Sequence, residues 1–543
     1  MSKLWPVMLA LSVVMVFILT SCTQSPSSPP PSQTQQSPTQ AQKPGATQNP
    51  SASSTVSAQD KNGGTLKIVY RGAAVSFGYP PKIAGLDNNY AKPFFDRLLE
   101  EGDGGAYTPE LATSWDIAPD SKSIIFHLRQ SVKFQDGTDF NAQAVKFNYD
   151  LLIPPNPNIL AGVVSVEAID NNTVKINLSN FNNLILYQLA SDTRCFIDSP
   201  TAIQKNGADW AAINPCGTGP FKLASYERNV SMKLTKFADY WDKSNIYLDG
   251  IQIDSIADPM TAMVSLKSGQ ANMLWAQDVT ACDQLAKTGY SVYQAPGALH
   301  GITFDTTRSD SIFSNPKVRQ AIEYAVDKEA ICSGPGFGMY KPWNQMAIEN
   351  TPNYNLALTP RKYDPAKAKQ LLGEAGFANG LTFSISMSPS AWKDGFTAVQ
   401  SYLSQVGITM NINLVTAAVY EGSMKQQGQL DKNSAAVIIF NYSSNDLLTM
   451  NSFLTTKAPF FQNMTRPKGI DDLIAQAQTQ KDPKEATKIT QQISKLIYDD
   501  ETFVPLWTEP RSAVSDKSVQ NPGFFVNGSP NNSQWGRGLW LKK

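Results

Sequence analysis

Histidine is almost absent from this chain: 543 residues contain two, His127 and His300, far apart in sequence. A His-rich metal site and a conventional His-based triad are therefore poor readings. Charge of one sign is also lacking. The 46 Lys+Arg balance 46 Asp+Glu, so no basic footprint points to nucleic acid. No CxxC pair supports a zinc knuckle, and no HExxH, GxSxG or SxxK-type site is paired with suitable partners. Gly217-Thr218-Gly219-Pro220 lacks the downstream Gly-Lys-Ser/Thr of a phosphate loop, and Pro220 removes an amide donor. It reads as a turn entering a strand. Carboxylate pairs exist at Asp136/Asp139 and at Asp499, Asp500 and Glu501. They fall at a turn and at a helix end, where solvated charge is the plain reading, so catalysis by paired acids is not supported.

What is present is apolar and long. A hydrophobic share of 41% over 543 residues can bury a large core in two or three domains. The aromatics (25 Phe, 19 Tyr, 10 Trp) are first of all core material. The run Leu4–Leu19 has sixteen residues without charge, preceded by Lys3. That length suits the apolar region of a signal peptide and is short for a spanning helix. It ends in Leu19-Thr20-Ser21-Cys22, which resembles a bacterial lipobox. Residues 1–21 are thus expected to be a lipoprotein signal peptide, with Cys22 lipidated. Residues 22–62, rich in Pro, Ser, Thr and Gln, lack the apolar content to offset ordering entropy and read as a disordered tether. The expected address is the extracytoplasmic face of the cell membrane, periplasmic or cell-surface. Cys195, Cys216, Cys282 and Cys332 remain, an even number for an oxidising compartment. Four cysteines allow three pairings; Cys195–Cys216, the most local, is the expected one.

Along the body, Thr65–Val69, Ser123–Arg129, Val132–Phe134, Thr173–Leu178, Leu381–Met387, Ile408–Val415 and Ala435–Phe440 read as strands. Ala435–Phe440 is short, apolar and β-branched, as a buried parallel strand is. Phe94–Glu100, Asn141–Leu152, Val318–Ala330, Ala366–Ala375, Phe396–Gln405 and Lys484–Tyr498 have helical spacing, with Gly376 as a stop. Val504–Trp507 is a short extended stretch. Strand–helix–strand order favours an α/β layered lobe.

Residues 109–147, PELATSWDIAPDSKSIIFHLRQSVKFQDGTDFNAQAVKF, resemble the signature region of the family 5 extracellular solute-binding proteins, the peptide/nickel-type receptors of ABC importers. Matching positions include Leu111, Ser114, Trp115, Asp120, Phe126, Leu128, Arg129, Val132, Phe134, Asp136, Gly137, Val145 and Phe147. Further segments are similar in the same order: Gly217–Phe221, Asp239-Tyr240-Trp241 with Leu248–Ile251, Leu266–Gln270, Val318–Ile322 with Ala325-Val326-Asp327, Ala366–Phe377 and Phe503–Trp507. The resemblance implies an α/β, two-lobed periplasmic-binding-protein fold of the larger class (type 2), with an extra subdomain on lobe I and two crossover strands near Leu299–Phe304 and Pro505–Thr508. It places lobe I at 63–300 and 508–543, the subdomain at about 105–215, and lobe II at 301–507. It implies a monomer that is not an enzyme and needs no cofactor. Its partners would be ABC permease and ATPase subunits, a small-molecule or oligopeptide ligand and, through the lipid, the membrane.

Peptide-binding members of that family hold the ligand's α-amino group with an Asp just past a lobe II strand. The matching stretch is Phe440-Asn441-Tyr442-Ser443-Ser444-Asn445-Asp446-Leu447. The Asp slot falls at Ser443 or Ser444, while a slip of one or two residues restores Asp446. A Ser there would deprive an ammonium of its charge partner and favour a non-peptide ligand such as an oligosaccharide or a metal chelate; a chemosensory role is also compatible. His300 lies near a crossover, whereas His127 sits inside the signature strand. Aromatic candidates for the pocket are Tyr79, Trp275, Trp343, Trp392, Phe440, Tyr442 and Trp507, with Phe440, Asn441 and Tyr442 where the family's pocket wall runs.

Overall fold

The computed structural model describes residues 61–543 except 86, 103–105, 156–158, 276–277, 348, 350, 389–390, 426–429, 442–444 and 523–535. The signal-peptide and tether expectations, Cys22, Tyr442, Ser443 and Ser444 lie outside the described residues, as does the side chain of Asn441.

Two sets of parallel strands share one sheet. In the first, Thr65–Tyr70 lies between Gly250–Ser255 and Met273–Trp275, parallel to both. In the second, Leu381–Met387 lies between Ile408–Leu414 and Ser434–Asn441, parallel to both. Two long antiparallel strands, Ser291–Phe304 and Val504–Ser515, join the sets. At one end Val504–Ser515 pairs with Met273–Trp275; at the other, Ser291–Phe304 pairs with Ser434–Asn441. The strand Ser434–Asn441 is therefore buried and parallel on one side, as its composition suggests, and antiparallel on the other.

The hydrophobic cores follow this division. One large cluster gathers Leu66, Ile68, Phe94, Phe221, Ile253 and Met273, among others. Its counterparts across the crossover strands are built around Phe304, Val318, Phe383 and Trp507, and around Met424, Ile438, Phe440 and Phe503. A four-stranded antiparallel sheet, in the order Ala112–Ile117, Ser123–Leu128, Thr173–Leu178, Val163–Asp170, forms a separate layer. Thr173–Leu178 buries every second residue, the period a strand imposes. The helix Ala142–Leu152 packs on it through Val145, Tyr149 and Leu152, and the Asn141 side chain caps that helix by accepting from the Ala144 N–H at 3.0 Å.

The turn at Gly217–Pro220 enters the strand Phe221–Glu227, as read from sequence. Its glycines are steric: a Cβ on Gly219 would stand 2.4 Å from the Phe94 carbonyl carbon. Other expectations are corrected. Phe94–Glu100 is not a helix. A single 3-10 turn, Lys92–Phe94, gives way to the strand Leu99–Glu101, which pairs with Tyr107–Pro109. Every residue from Phe94 to Glu101 is buried, so the charged residues that mimic a polar helix face are internal: Asp96 and Glu100 pair with Arg537, and Arg97 donates to backbone carbonyls. Val318–Ala330 is two helices, Pro316–Ala325 and Lys328–Ser333. The break is made by Asp327, which caps the second by accepting from the Ala330 N–H at 2.9 Å. Val132–Phe134 contributes one isolated bridge, Lys133 to Asp139, rather than a strand. Glu501 is not solvated: it is 1% exposed, in a left-handed conformation, and paired with Arg361 at 2.7 Å.

The disulfide expectation is also overturned. Cys195, Cys216, Cys282 and Cys332 are all free and buried. Asp198 bridges Gly217 in antiparallel fashion, and the Ser199 N–H donates to the Cys216 carbonyl. This register sets Cys216 against Ser199, while Cys195 lies four residues earlier, in a 3-10 turn that belongs to the core behind the four-stranded sheet. No helix among the described residues is long and apolar enough to cross a membrane.

Candidate functional site at the crossover strands

In parallel sheets, ligands bind beyond the carboxyl ends of the strands. Here two such sets point at each other. Trp275 ends its strand opposite Ala513, and Asn441 ends its strand opposite Ala298, which in turn faces Glu509. Both sets thus open onto the middle of the crossover pair, roughly Ala295–His300 and Trp507–Arg511. Register shifts at Pro296/Ala298 and His300/Gly301 interrupt the pairing there, as bulges next to binding sites do.

Trp507, Glu509 and Arg511 alternate onto one face of their strand. His300, paired with Trp507, stacks on it at 6.3 Å between ring centroids. The Nε2–H of His300 donates to Glu509 Oε2 at 2.7 Å, which sets the tautomer. Nδ1 of His300 and the indole N–H groups of Trp343 and Trp507 are buried without hydrogen-bond partners. Trp392 and Tyr340 lie against Trp507: Tyr340 stacks on Trp392 at 4.0 Å and 11°, and Trp392 meets Trp507 edge-on at 5.1 Å. The Tyr340 hydroxyl is raised in pKa by burial, and further by the charges of Glu509 and Asp278. Asp278 follows the strand Met273–Trp275 and caps the next helix. One parallel set therefore brings a carboxylate, and the other a stacked ring pair, to the same place.

A cavity of about 630 Å³ adjoins the crossover strands at Pro296 and Thr508 and is lined further by Tyr340, Trp343 and Tyr354. That volume is in the range of small-molecule sites. Asp446, the first residue of the helix Asp446–Phe453, is 4% exposed. Its Oδ2 accepts from Asn353 Nδ2 at 3.2 Å, next in sequence to the cavity-lining Tyr354. Burial pushes its carboxyl up to about 7, and the Asn353 bond offsets this only in part.

Of the residues singled out from sequence, His300, Trp392 and Trp507 meet in one cluster. Trp343 is buried by stacking on Phe503, and Phe440 is 0% exposed among Trp343, Phe461 and Phe503. Trp275 packs near Tyr70 at the end of its strand. Tyr79 belongs to a small cluster with Ile203 and Ala211 and is not part of the crossover. His127 is half-exposed, 3.4 Å from Asp116 on the four-stranded sheet. Among the described residues, no group of three or more His, Cys, Asp or Glu is placed to hold a metal ion. Sequence reasoning missed Tyr340, Glu509 and Arg511. The alternation of Trp507, Glu509 and Arg511 was the available signal, hidden by Pro505 and Pro510.

The family model "Bacterial extracellular solute-binding proteins, family 5 Middle" matches residues 106–460. The chain belongs to this family. The glutathione-binding protein GsiB of Shigella flexneri is 29% identical over 458 residues, covering 81% of this chain and 88% of GsiB. Among solved structures, DppA from Helicobacter pylori, in complex with the peptide STSA, superposes with a TM-score of 0.72 at 23% identity over 89% of this chain and 99% of that one. AgaA from A. tumefaciens R10, in complex with agropinic acid, gives 0.68 at 24% over 88% and 99%. The two-lobed periplasmic-binding-protein fold expected from sequence is thus the fold of this family 5 protein. These neighbours, at such identities, speak for the fold alone.

Proposed function

We propose that this family 5 protein is the extracytoplasmic receptor of an ABC importer and that its ligand is peptide-like, of the glutathione or short-peptide kind. The observation that carries the reading is the meeting of two opposed sets of strand ends at the crossover pair, beside a cavity of about 630 Å³. The ligand class is supported by the likeness to a glutathione-binding protein over most of both chains. In this reading lobe I comprises 63–300 and 508–543, lobe II 301–507, and Cys22 carries the lipid that holds the tethered body at the membrane. Ligand shifts an open–closed equilibrium toward the closed form, which docks on the permease; ATP hydrolysis elsewhere drives release. The protein itself performs no chemistry.

Asp446 takes the ligand's ammonium. A nearly dry carboxyl whose pKa is near 7 is a poor resting ion and a good partner for an arriving cation, which restores its charge. Tyr340 and Trp392 offer the apolar wall. The test is thermal stability of the protein against separate pools of di- to hexapeptides including glutathione, of Ni²⁺ with small chelators, and of oligosaccharides. Ligand at about 100 times its dissociation constant stabilises by roughly 2.7 kcal/mol. A shift in the peptide pool that is lost on N-acetylation supports the reading; a shift only with sugars or the nickel chelate overturns it.

A further inference from the structure

Among the described residues, Arg511 is a cation without a counter-charge in the middle of the crossover. Among the described residues its guanidinium makes no hydrogen bond and no ion pair. Its neighbour along the same strand face, Glu509, lies roughly 7 Å away by strand rise, yet the two are not paired. Glu509 instead accepts from His300. Beside Arg511 stands another basic group rather than a carboxylate. The Lys92 amine, fully buried at the turn before Phe94, is pulled down to about 7 by burial first and then by Arg97 and Arg511. Arg97 spends its own donors on the carbonyl oxygens of Ala190, Ser191 and Asp192.

The Arg511 nitrogens are not sealed in. The buried, partnerless polar atoms among the described residues do not include them, so they keep access to solvent. A half-buried guanidinium has lost part of its hydration with no carboxylate in exchange. Its planar fork matches the two oxygens of a carboxylate.

We propose that Arg511 is the seat of the ligand's carboxylate: the crossover strand Val504–Ser515 itself reads the acid end of the peptide-like ligand. Glu509, one step along the same face, disfavours a phosphate dianion and leaves a single carboxylate as the preferred anion. This rests on the peptide-like reading given above. It also gives the hinge strands a direct part in recognition, since a carboxylate held on Arg511 sits where both lobes close.

The test uses the full protein in detergent, with tri-alanine and glutathione as probes, each as the free acid and with its carboxyl groups amidated, and inorganic phosphate as a third anion. Calorimetry is expected to show the free acids binding about 30-fold tighter than the amides, phosphate not competing, Arg511→Gln abolishing the preference, and Arg511→Lys retaining part of it. The Arg511→Gln apoprotein is expected to melt no lower than the parent, because no native partner is lost. On the unsubstituted protein, phenylglyoxal should modify Arg511 as read by mass spectrometry, and the free acid but not the amide should protect it; this readout does not depend on the folding of a variant. Equal binding of acid and amide, or an acid preference that survives Arg511→Gln, overturns the carboxylate seat and leaves the peptide-receptor reading standing. Competition by phosphate at the level of the free acids overturns the choice of carboxylate. Failure of every peptide, acid and amide alike, overturns the peptide-receptor reading and the seat with it.

Discussion

Around the helix Pro316–Ala325 lies a buried charge set whose members are one another's counter-charges, whereas the crossover region contains charges without one among the described residues. In the first, Glu323 receives Lys328 at 2.8 Å and Arg361 at 2.9 Å, and Arg361 also pairs with Glu501 at 2.7 Å. Arg319 donates to the Glu501 and Phe313 carbonyls at 2.7 and 2.6 Å. Against burial, Lys328 and Arg361 hold Glu323 below the usual carboxylate range, while burial and repulsion by Glu323 push Glu501 up. A similar hub sets Arg537 among Asp96, Glu100 and Glu110, at 3.2–3.4 Å. At the crossover, Arg511 has no partner among the described residues, and Asp446, on the helix that follows Ser434–Asn441, has one neutral amide. Charges that have counter-charges within the fold are structural; ionisable groups left without one are available to a ligand.

The comparison can be broken at its strongest point first. Arg361→Met strands Glu501 and leaves Glu323 with Lys328 alone, and urea unfolding is expected to show a loss of about 3–5 kcal/mol. Arg537→Met leaves Asp96, Glu100 and Glu110 without their shared cation, with a loss of about 3 kcal/mol by the same assay. The unsatisfied groups are expected to respond in the opposite sense. Asp446 ionises near pH 3.9 in an unfolded chain, roughly, and at about 7 in the fold. The folded state therefore holds the proton between those values, and stability falls as pH rises through that window. Asp446→Asn is accordingly expected to stabilise the ligand-free protein by about 1–3 kcal/mol at pH 8 and by almost nothing at pH 4, as denaturation at the two pH values would show. The smallest effect belongs to Arg511→Gln without ligand, with a change within about 0.5 kcal/mol or a slight gain.

These differences were unevenly legible in the sequence. The family signature, the four-stranded layer and most elements between Pro316 and Asp500 follow from alternation and helical spacing, and Leu381–Met387 begins and ends where its pattern does. The crossover strands were read as short pieces. Pro296, Gly297 and Gly301 interrupt one, and Pro505 and Pro510 the other; such residues normally mark loops or edges. Gly301 is needed there, since a Cβ would stand 2.4 Å from the Val504 carbonyl oxygen. Segment 94–101 misled because buried ion partners imitate the polar stripe of an amphipathic helix. The candidate site was legible only in part: Trp392, Trp507 and His300 were found as residue types suited to a pocket. What distinguishes Arg511 is the absence of a partner among the described residues, a property of three-dimensional neighbours that no local pattern encodes.

The central claim is that unsatisfied charge at the crossover is completed by the two ends of a zwitterionic ligand. Its most direct test is calorimetric binding of a tripeptide in its free form against the same tripeptide both N-acetylated and C-amidated. The account predicts measurable binding of the free form and none of the doubly blocked one at the same concentrations. Equal affinity for the two forms would contradict it.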